Sequence, residues 1–436
     1  MLLNHGIIGI VLAGCVASFK PSQPRPAIIQ RVETVAERRN EKGVQHIRAA
    51  VQKHKVHANV PSTRRRGDSF PTLARWQREG LASFDAGAVY MLDLEIGVPK
   101  QRISLILDTG SYTMLINPDC ERSADVSACS KYGYYATTES STSESLDMNF
   151  VANFGTGYME GVWYNDTIFI GQDELPLQDF RLGVSTWSTY LWAGILGLSY
   201  GVEWNTPYPT LLDHLVQLGH IEVPIFSLAV GTQEDGVSEQ PGGIIFGGID
   251  RWKFRGYLEP IEIWPNPSDQ IDLFDQVGYW VNMTSFGYTQ PGGKEVELTE
   301  DDFARPMLID SGSTFTYLNP DLTDDEGVYL VNCDLRHKNG YISFGFNQGN
   351  MVIDVSYADF IVDLDSHCAL GVQPADDGFA TGVLGNSFIR AAYIVFDQMN
   401  DAIWLAQYQP CQSDGVSELT TDAGKELWLN FTGLCW

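Results

Sequence analysis

The sequence predicts a mostly β protein of two related lobes with a cleft between them. Most of residues 89–408 consists of short runs of alternating apolar and polar residues, broken by Gly, Asn, Asp and Pro, which is typical of strands and turns. The chain has 436 residues, 44% of them hydrophobic, which is enough for more than one core. The third observation is an internal repeat, which indicates that the lobes are related.

The repeat consists of two elements that occur twice in the same order. The segment LILDTGSYTML at 105–115 recurs as MLIDSGSTFTYL at 307–318. Each copy is followed by an apolar segment with glycine, GILGLSY at 194–200 and GVLGNSF at 382–388. Duplication of this kind allows the two Asp-Thr/Ser-Gly turns to meet on a pseudo-two-fold axis.

The organisation along the chain follows from this repeat and from the charge pattern. Residues 1–17 lack Lys, Arg, Asp and Glu and contain a short apolar run, which predicts a signal peptide. Residues 18–80 hold 14 of the 28 Lys and Arg but only 5 of the 55 Asp and Glu. The predicted segments are a signal peptide at 1–17, a basic propeptide at 18–66 with residue 80 as its furthest boundary, a first β lobe at 81–250, a second β lobe at 251–408 and a tail at 409–436.

Two segments show helical spacing of apolar residues. The first lies within 28–58 and leads to Arg64, Arg65 and Arg66, a basic cluster that we interpret as a processing site. The second lies at 209–221, where Gly219 is expected to end the helix. The apolar residues expected on the face of this second helix are Leu211, Leu212, Leu215, Val216 and Leu218.

The body of the chain is strongly acidic. Residues 81–436 carry 50 Asp and Glu against 14 Lys and Arg, which argues against a nucleic-acid partner. A basic head on an acidic body instead indicates that the head pairs with the body, with Lys53 and Lys55 as candidate contacts. After the signal, no apolar stretch is long enough for a membrane span, so no membrane anchor is expected.

Seven cysteines are present, and Cys15 falls in the predicted signal. The other six suggest three disulfides in a secreted chain, although six cysteines allow 15 pairings. Sequence order favours Cys120 with Cys129, Cys333 with Cys368, and Cys411 with Cys435. The spacings do not fit a zinc site, so no metal is expected. Three sequons, at Asn165, Asn282 and Asn430, are candidate glycosylation sites.

The two repeated turns predict a paired carboxylate site at Asp108 and Asp310. A single Asp-Thr-Gly or Asp-Ser-Gly is an ordinary turn sequence, but two copies at the ends of apolar strands favour a catalytic role for the two Asp residues. Two carboxylates about 3 Å apart cannot both ionise easily, so they share a proton. One can then act as general base on water while the other stabilises an oxyanion.

The residues after each Asp suit this role. The glycines let the backbone approach the carboxylates, the residue directly after each Asp can hydrogen-bond across the axis, and the Ser that ends each turn can hydrogen-bond an outer carboxylate oxygen. Local capping of the turns is the alternative role for the hydroxyls. These residues are Thr109, Gly110 and Ser111 in the first turn and Ser311, Gly312 and Ser313 in the second.

The chain resembles a pepsin-like aspartic endopeptidase, of the secreted fungal type in general appearance. The motifs that carry the resemblance occur in family order over roughly 84–408: DTGS, FGTG, GILGL, FGGID, GYW, DSGST, GVLGNSFIR and IVFD. The resemblance implies the bilobal pepsin-like acid protease fold, Asp108 and Asp310 as the catalytic dyad, and no cofactor. The spacings of 120/129 and 333/368 also match two disulfides of the family.

The segment FVANFGTGYMEGVWY resembles the family's flap, a hairpin that closes over the substrate. The family usually has Tyr at position 154 and, as its hydrogen-bond partner, Trp at position 115. Both residues are apolar here, so we expect Phe154 to pack on Leu115. The residues that the resemblance places at the flap or in contact with substrate are Phe154, Gly155, Thr156, Gly157, Leu115 and Tyr279.

By resemblance, the protein is expected to be a secreted endopeptidase, made as a zymogen and active on internal peptide bonds at acid pH. Its expected partners are protein or peptide substrates and its own propeptide, and a monomer is expected. An extracellular location is expected, with a vacuole or another acidic compartment as the alternative. The alternative functions are a weak or inactive homologue that binds peptides or proteins, and a glycosidase with an Asp pair.

Overall fold

In the computed structural model, the described part of the chain begins in the predicted propeptide and covers most of both predicted lobes. For residues 47–56, only the backbone is described. The described residues are 47–56, 87–117, 120, 126–154, 157–170, 175–189, 193–202, 204–232, 242–264, 277–318, 322–323, 329–363, 368–375, 382–409, 411, 415–419 and 431–435. The predicted signal peptide, the cluster Arg64–Arg66, Gly155, Thr156 and Asn430 lie outside them.

The described residues are mostly strands. The strands of the first part of the chain are β1 (Ile47–Val56), β2 (Gly87–Ile96), β3 (Gln101–Asp108), β4 (Met114–Ile116), β5 (Glu144–Asn153), β6 (Tyr158–Ile170), β7 (Leu175–Thr189), β8 (Gly194–Gly197), β9 (Ile225–Ala229), β10 (Gly242–Phe246), β11 (Gly248–Asp250) and β12 (Phe254–Glu262). Those of the second part are β13 (Trp280–Thr289), β14 (Glu295–Glu297), β15 (Arg305–Ile309), β16 (Thr316–Leu318), β17 (Leu330–Val331), β18 (Tyr341–Phe346), β19 (Met351–Ser356), β20 (Val362–Asp363), β21 (Cys368–Ala369), β22 (Val372–Pro374), β23 (Gly382–Leu384), β24 (Ala392–Asp397), β25 (Ala402–Tyr408) and β26 (Val416–Glu418).

These strands form two large sheets, which confirms the mostly β, bilobal, pepsin-like fold. The first has the order β12-β25-β24-β9-β10-β1-β2-β3-β8-β4-β7-β6-β5, and the second β19-β18-β13-β15-β23-β16-β22, with β14 paired to β13. Two smaller sheets are β11-β26 and β17-β21-β20. Alternation along β3 turns Ile103, Leu105 and Leu107 into the core, so that Asp108 is the last residue of a strand that is packed in the core.

The internal repeat reappears as a repeated strand arrangement. In the first lobe β3 is parallel to β8, β8 is antiparallel to β4, and β4 is parallel to β7. In the second lobe β15, β23, β16 and β22 make the same succession of parallel and antiparallel pairs. The two sequence elements of each repeat therefore form neighbouring strands. Both lobes have the same strand arrangement, and in both it leads to an Asp turn.

Residues 47–56 form a strand, so the predicted helix within 28–58 is wrong for this part. The first half of β1 pairs with β10 and the second half with β2. Two open strand edges outweigh a local helical spacing, because a strand in that position completes both hydrogen-bond ladders. Lys53 and Lys55 lie opposite Tyr90 and Ala88 in the ladder, and their side chains lie outside the described part of the structure.

The helices are short. They are α1 (Val126–Tyr132), α2 (Leu211–Gln217), α3 (Tyr357–Phe360) and α4 (Asn386–Ile389), with 3-10 turns at Thr137–Glu139, Cys333–His337 and Asn347–Gly349. Helix α2 confirms the second predicted helix: Thr210 and Asp213 form a capping box, and Gly219 follows with a φ of +68°. Leu218 is 49% exposed, which corrects its expected place on the buried face, because it lies beyond the last turn.

The tail is attached to the body by a short strand pair, and a disulfide joins two residues within the tail. The structure joins Cys120 to Cys129, Cys333 to Cys368 and Cys411 to Cys435, the pairings that sequence order favours. Strand β26 pairs with β11, and Phe431 packs on a second core cluster of the large sheet. The described residues after 409 therefore include contacts with both β11 and β12.

Candidate active site

The side chains of Asp108 and Asp310 lie at the ends of equivalent strands. Asp108 ends β3, and its backbone carbonyl accepts a hydrogen bond from Leu198 N at 2.8 Å. Asp310 directly follows β15 and donates its N–H to Leu384 O at 3.1 Å. In each lobe, the turn that carries the Asp is thus held by the second element of the repeat. The contact residue is Leu198, directly after β8, in the first lobe and Leu384, at the end of β23, in the second.

Four hydrogen bonds join the two turns across the interface between the lobes. Thr109 Oγ1 donates to Ile309 O at 2.8 Å and accepts from Ser311 N at 3.0 Å. Ser311 Oγ donates to Leu107 O at 2.7 Å and accepts from Thr109 N at 3.1 Å. Thr109 and Ser311 are both fully buried, so these bonds are shielded from water. This reciprocal set fixes the distance and orientation of the two Asp residues.

Each carboxylate is also held by its own turn. Asp108 Oδ1 accepts from Gly110 N at 2.9 Å and Oδ2 from Ser111 Oγ at 2.5 Å. Asp310 Oδ1 accepts from Gly312 N at 2.8 Å and Oδ2 from Ser313 Oγ at 2.5 Å. The sequence-predicted roles of these glycines and serines therefore have counterparts in the geometry. The two carboxylates are orientated alike, as a two-fold arrangement requires.

Glycine is needed at the centre of both turns because the opposite carboxylate is so close. A Cβ on Gly110 would lie 2.7 Å from Asp310 Cγ, and one on Gly312 would lie 2.7 Å from Asp108 Oδ1. Neither carboxylate could give way without losing its own hydrogen bonds. The same contacts show that each turn extends beneath the carboxylate of the other lobe.

The surroundings favour one shared proton. Asp108 is 7% exposed. Burial is the main cause that raises the pKa of Asp108 well above its usual range, and the neighbouring charge and hydrogen bond of Asp310 add to it. The hydrogen bonds from Ser111 and Gly110 act in the opposite direction but are weaker. The pair is therefore able to hold a proton at a pH where an isolated Asp would be ionised.

Asn386 supports the second turn, and sequence reasoning did not single it out. Its Nδ2 donates to Ser311 O at 3.0 Å and its backbone N–H donates to Ser313 O at 2.8 Å. In the first lobe, Ser199 N donates to Ser111 O at 2.8 Å. Asn386 lies in the GVLGNSF segment, at the position that Leu198 occupies in the first copy of the repeat. The repeat was therefore the sequence signal that could have pointed to Asn386.

The predicted flap is a hairpin in the structure. Strands β5 and β6 are antiparallel, and Phe154 and Gly157 close the turn with hydrogen bonds of 2.7 and 3.3 Å between their backbones. Leu115 is buried in a cluster with Phe150, Met159 and Ile195, and Phe154 packs against this cluster. The two positions at which the family usually has a hydrogen-bonded Tyr and Trp, 154 and 115, therefore hold apolar residues of one continuous apolar cluster.

Phe150 and Trp163 fill the space around Leu115, a role that the sequence did not reveal. Their rings lie 5.1 Å apart, and Trp163 packs against the same cluster. Gly183 faces them: a Cβ there would lie 2.6 Å from Leu115 Cδ2 and 2.8 Å from Phe150 Cε1. Strand alternation placed both aromatic residues on this face, but which element they would meet depends on tertiary packing.

Tyr279 does not offer a surface to substrate, which corrects its expected role. It is fully buried, its hydroxyl donates to Leu198 O at 2.8 Å, and Gln398 Nε2 donates to the hydroxyl at 2.7 Å. Its backbone carbonyl accepts from Ile309 N at 3.1 Å. Tyr279 thus links the strand before Asp310 to the segment that holds Asp108, and it is a positioning residue.

The other predicted sites lie away from the dyad. Asn165 and Asn282 are half-buried on β6 and β13. Among the residues that the structure describes, no His, Cys, Asp and Glu side chains are grouped so as to hold a metal ion. The helices of the described ranges are too short or too polar to cross a membrane.

Known proteins resemble this chain over the region that carries the two turns. Residues 89–408 match the family model described as eukaryotic aspartyl protease. Candidapepsin-3 of Candida albicans is 28% identical over 76% of this chain and 82% of its own length. Aspartic proteinase yapsin-3 of Saccharomyces cerevisiae is 28% identical over 73% of this chain and 66% of its own length. Barrierpepsin of the same yeast is 26% identical over 76% of this chain and 62% of its own length. With about three-quarters of its length matched to the family model, this chain belongs to the eukaryotic aspartyl protease family.

Proposed function

We propose that this protein is a secreted aspartic endopeptidase, made as a zymogen, that hydrolyses internal peptide bonds at acid pH. The observation that carries the proposal is the pair Asp108 and Asp310, held face to face by the four hydrogen bonds of Thr109 and Ser311. The names of several relatives describe them as secreted aspartic proteases, which supports the secreted location. The natural surroundings would be the extracellular space or an acidic compartment.

The mechanism follows from the shared proton. The ionised carboxyl group of the pair takes a proton from a water molecule while the water oxygen bonds to the peptide carbonyl carbon. The protonated carboxyl group donates its proton to the carbonyl oxygen, which forms a neutral tetrahedral diol. The C–N bond then breaks as the nitrogen takes the proton of one carboxyl group and a hydroxyl of the diol gives its proton to the other, which is left protonated while the diol becomes the new carboxylic acid. No covalent bond to the protein forms.

A cleavage assay tests the proposal directly. Processed protein should cleave denatured haemoglobin or casein at about pH 3–5, and a statine-type transition-state analogue should inhibit it, because its hydroxyl replaces the attacking water. A homologue that only binds peptides would retain the analogue without cleaving either substrate. Absence of cleavage by correctly processed protein would therefore favour the binding function.

The placement of β1 supports the zymogen. This strand belongs to the predicted propeptide, yet it pairs on both sides with strands of the body, β10 and β2. The predicted processing site at Arg64–Arg66 lies between β1 and β2 in the sequence. Cleavage there would leave β1 held by backbone hydrogen bonds and by attraction between the basic segment and the acidic body. Only the attraction fades when carboxylates are protonated.

Substitution of Arg64, Arg65 and Arg66 by Ala should keep the precursor as one chain. We expect its kcat/KM at pH 6–7 to be at least about tenfold below that of processed protein, because the tethered segment stays at high effective concentration. The measurement is hydrolysis of a fluorogenic peptide, with precursor cut in vitro by an arginine-specific protease as control. A precursor that is fully active at pH 7 with residues 18–80 attached would rule out inhibition by this segment.

Substitution of Phe154 by Tyr should disturb the flap. The new hydroxyl has no polar partner in the cluster of Leu115 and Phe150, so the ring must move outward or leave the hydroxyl unpaired. We expect kcat/KM to fall by about fivefold, the equivalent of roughly 1 kcal/mol. Steady-state rates on one peptide check this, and Phe154→Leu is the control without a hydroxyl. If Phe154→Tyr has the same activity and specificity as the wild type, the expected disturbance of the flap is contradicted.

A further inference from the structure

The second lobe contains a groove of 930 Å³ in which one of the sequons lies. Asn282 and Thr284, the first and third residues of that sequon, both line it. They are two residues apart on β13, whose neighbours Val281 and Met283 are fully buried in the core, so the sequon points outward from the sheet. The groove therefore includes a candidate modification site, and neither Asp108 nor Asp310 lines it.

The amide of Asn282 is incompletely paired. Its Oδ1 is buried and has no hydrogen-bond partner. Buried carbonyl oxygens almost always accept a hydrogen bond, and an unpaired one needs an explanation. Thr284, in contrast, is engaged: its Oγ1 accepts from Gln348 N at 3.1 Å and lies 3.3 Å from Gly345 O, to which it donates. The unpaired acceptor in the sequon is therefore the Asn side chain, at the wall of the groove.

The lining of the groove suits a saccharide. Trp264 lines the groove and is 41% exposed, and its backbone N–H donates to Trp280 O at 2.8 Å. An exposed indole face offers an apolar platform with a polar edge, which fits the C–H face of a pyranose. Carboxylates provide acceptors for sugar hydroxyls, and those on the wall are Glu262, Glu297, Glu300, Asp301 and Asp302. They are not grouped for a metal ion within the described residues.

We propose that Asn282 carries an N-linked glycan whose first N-acetylglucosamine lies in this groove against Trp264. In the modification, Asn282 Nδ2 displaces the diphosphate of a lipid-linked oligosaccharide at C1 of the sugar, and the nitrogen loses one proton. A C–N bond replaces the C–O bond. The chain is modified while it is still extended, so the later engagement of Thr284 is no obstacle. The sugar hydroxyl and acetamido N–H groups are donors of the kind that Asn282 Oδ1 lacks.

The test uses the full chain secreted from a host that attaches high-mannose N-glycans. Peptide mass spectrometry measures the occupancy of Asn282, and an endoglycosidase that cuts between the two N-acetylglucosamine residues is applied to native and to denatured protein. We expect Asn282 to be occupied and its glycan to be cut at least tenfold more slowly in the native protein. An unmodified Asn282, or equal rates in both states, overturns the proposal.

Two variants separate docking on Trp264 from general shielding. Trp264→Ala should bring the native cutting rate at Asn282 towards the denatured rate, whereas Trp204→Ala, at a tryptophan that is 58% exposed and does not line the groove, should leave it unchanged. An unchanged rate in Trp264→Ala contradicts the role of the indole. If that variant does not fold, Trp264→Phe, which keeps an aromatic face, should retain most of the protection.

Discussion

Replacing Asp108 with Asn is expected to lower kcat/KM for peptide hydrolysis by at least about 1000-fold while the protein stays folded. General acid–base catalysis contributes about 10²–10⁴-fold, and the amide can neither take a proton from water nor share one with Asp310. The amide oxygen can still accept the hydrogen bond of Gly110 N, and the amide NH2 group, which replaces the other carboxylate oxygen, can donate to Ser111 Oγ. The loss should therefore appear in kcat, with little change in the folded structure.

The same substitution should change stability in a pH-dependent way. Burial and the neighbouring Asp310 raise the pKa of Asp108 in the folded protein. A raised carboxyl pKa contributes stability that is present below the unfolded pKa and is lost as the pH rises through the folded value. Asp108→Asn removes this loss, so its free energy of unfolding relative to the wild type should increase between pH 4 and pH 7.

Activity of the wild type should fall over the same range. Once the pH exceeds the raised pKa, the pair loses its shared proton and kcat/KM should decline by about tenfold per pH unit. Rates measured from pH 2 to pH 8, and urea unfolding at pH 4 and pH 7, check both expectations. Asp334→Asn, at an exposed carboxylate, is the matched control and should change neither. A wild type equally active at pH 4 and pH 8 would contradict the shared proton.

The duplicated turns made the dyad the most predictable part of the molecule. Asp108 and Asp310 are 202 residues apart, yet each lies at the end of a β-strand whose neighbour was also duplicated in the sequence. Short-range chemistry therefore predicted the local hydrogen bonds of Gly110 and Ser111. The repeat itself predicted that the two turns meet, because two copies of one topology pack most simply about a two-fold axis.

What sequence reasoning missed depends on contacts between distant segments. Tyr279 belongs to a family motif, but its burial follows from packing on Leu198 and Gln398, which no local pattern shows. Strand β1 has helical spacing and becomes a strand because β10 and β2 present open edges. The alternation along β5 and β6 indicates which face Phe150 and Trp163 occupy. Their contact with Leu115, however, depends on how β4, β5 and β6 pack together.

Replacing Thr109 with Val or Ser311 with Ala should show how much the lobes depend on the hydrogen bonds between them. Val has nearly the shape of Thr, so Thr109→Val removes mainly the hydroxyl and leaves Ile309 O and Ser311 N without a partner in a buried site. Each unpaired buried group costs about 1–3 kcal/mol, so we expect the free energy of unfolding to fall by roughly 2–4 kcal/mol. Ser311→Ala leaves Leu107 O and Thr109 N unpaired and should cost a similar amount.

The effect on catalysis should exceed what the stability loss alone causes. The four bonds set the position of Asp108 against Asp310, and a misplacement of about 1 Å can cost roughly 10²-fold in rate. We therefore expect kcat per folded molecule to fall by about 30–100-fold in either variant, with KM nearly unchanged. Active-site titration with a tight transition-state analogue supplies the folded concentration, so that stability and rate are read separately.

Ser227→Ala is the matched control for these variants. Ser227 is as deeply buried as Ser311, and its hydroxyl likewise donates to a backbone carbonyl, Gly248 O at 2.9 Å, and accepts from Tyr393 at 3.0 Å. It should lose stability but keep its kcat, because neither partner touches the dyad. The double variant of Thr109 and Ser311 should be less destabilised than the sum of the two singles, because the four bonds form one connected set. Strict additivity of the two stability losses would show that the four bonds act independently. A kcat in Ser227→Ala as low as in Ser311→Ala would show that the bonds between the lobes stabilise the fold without positioning the carboxylates.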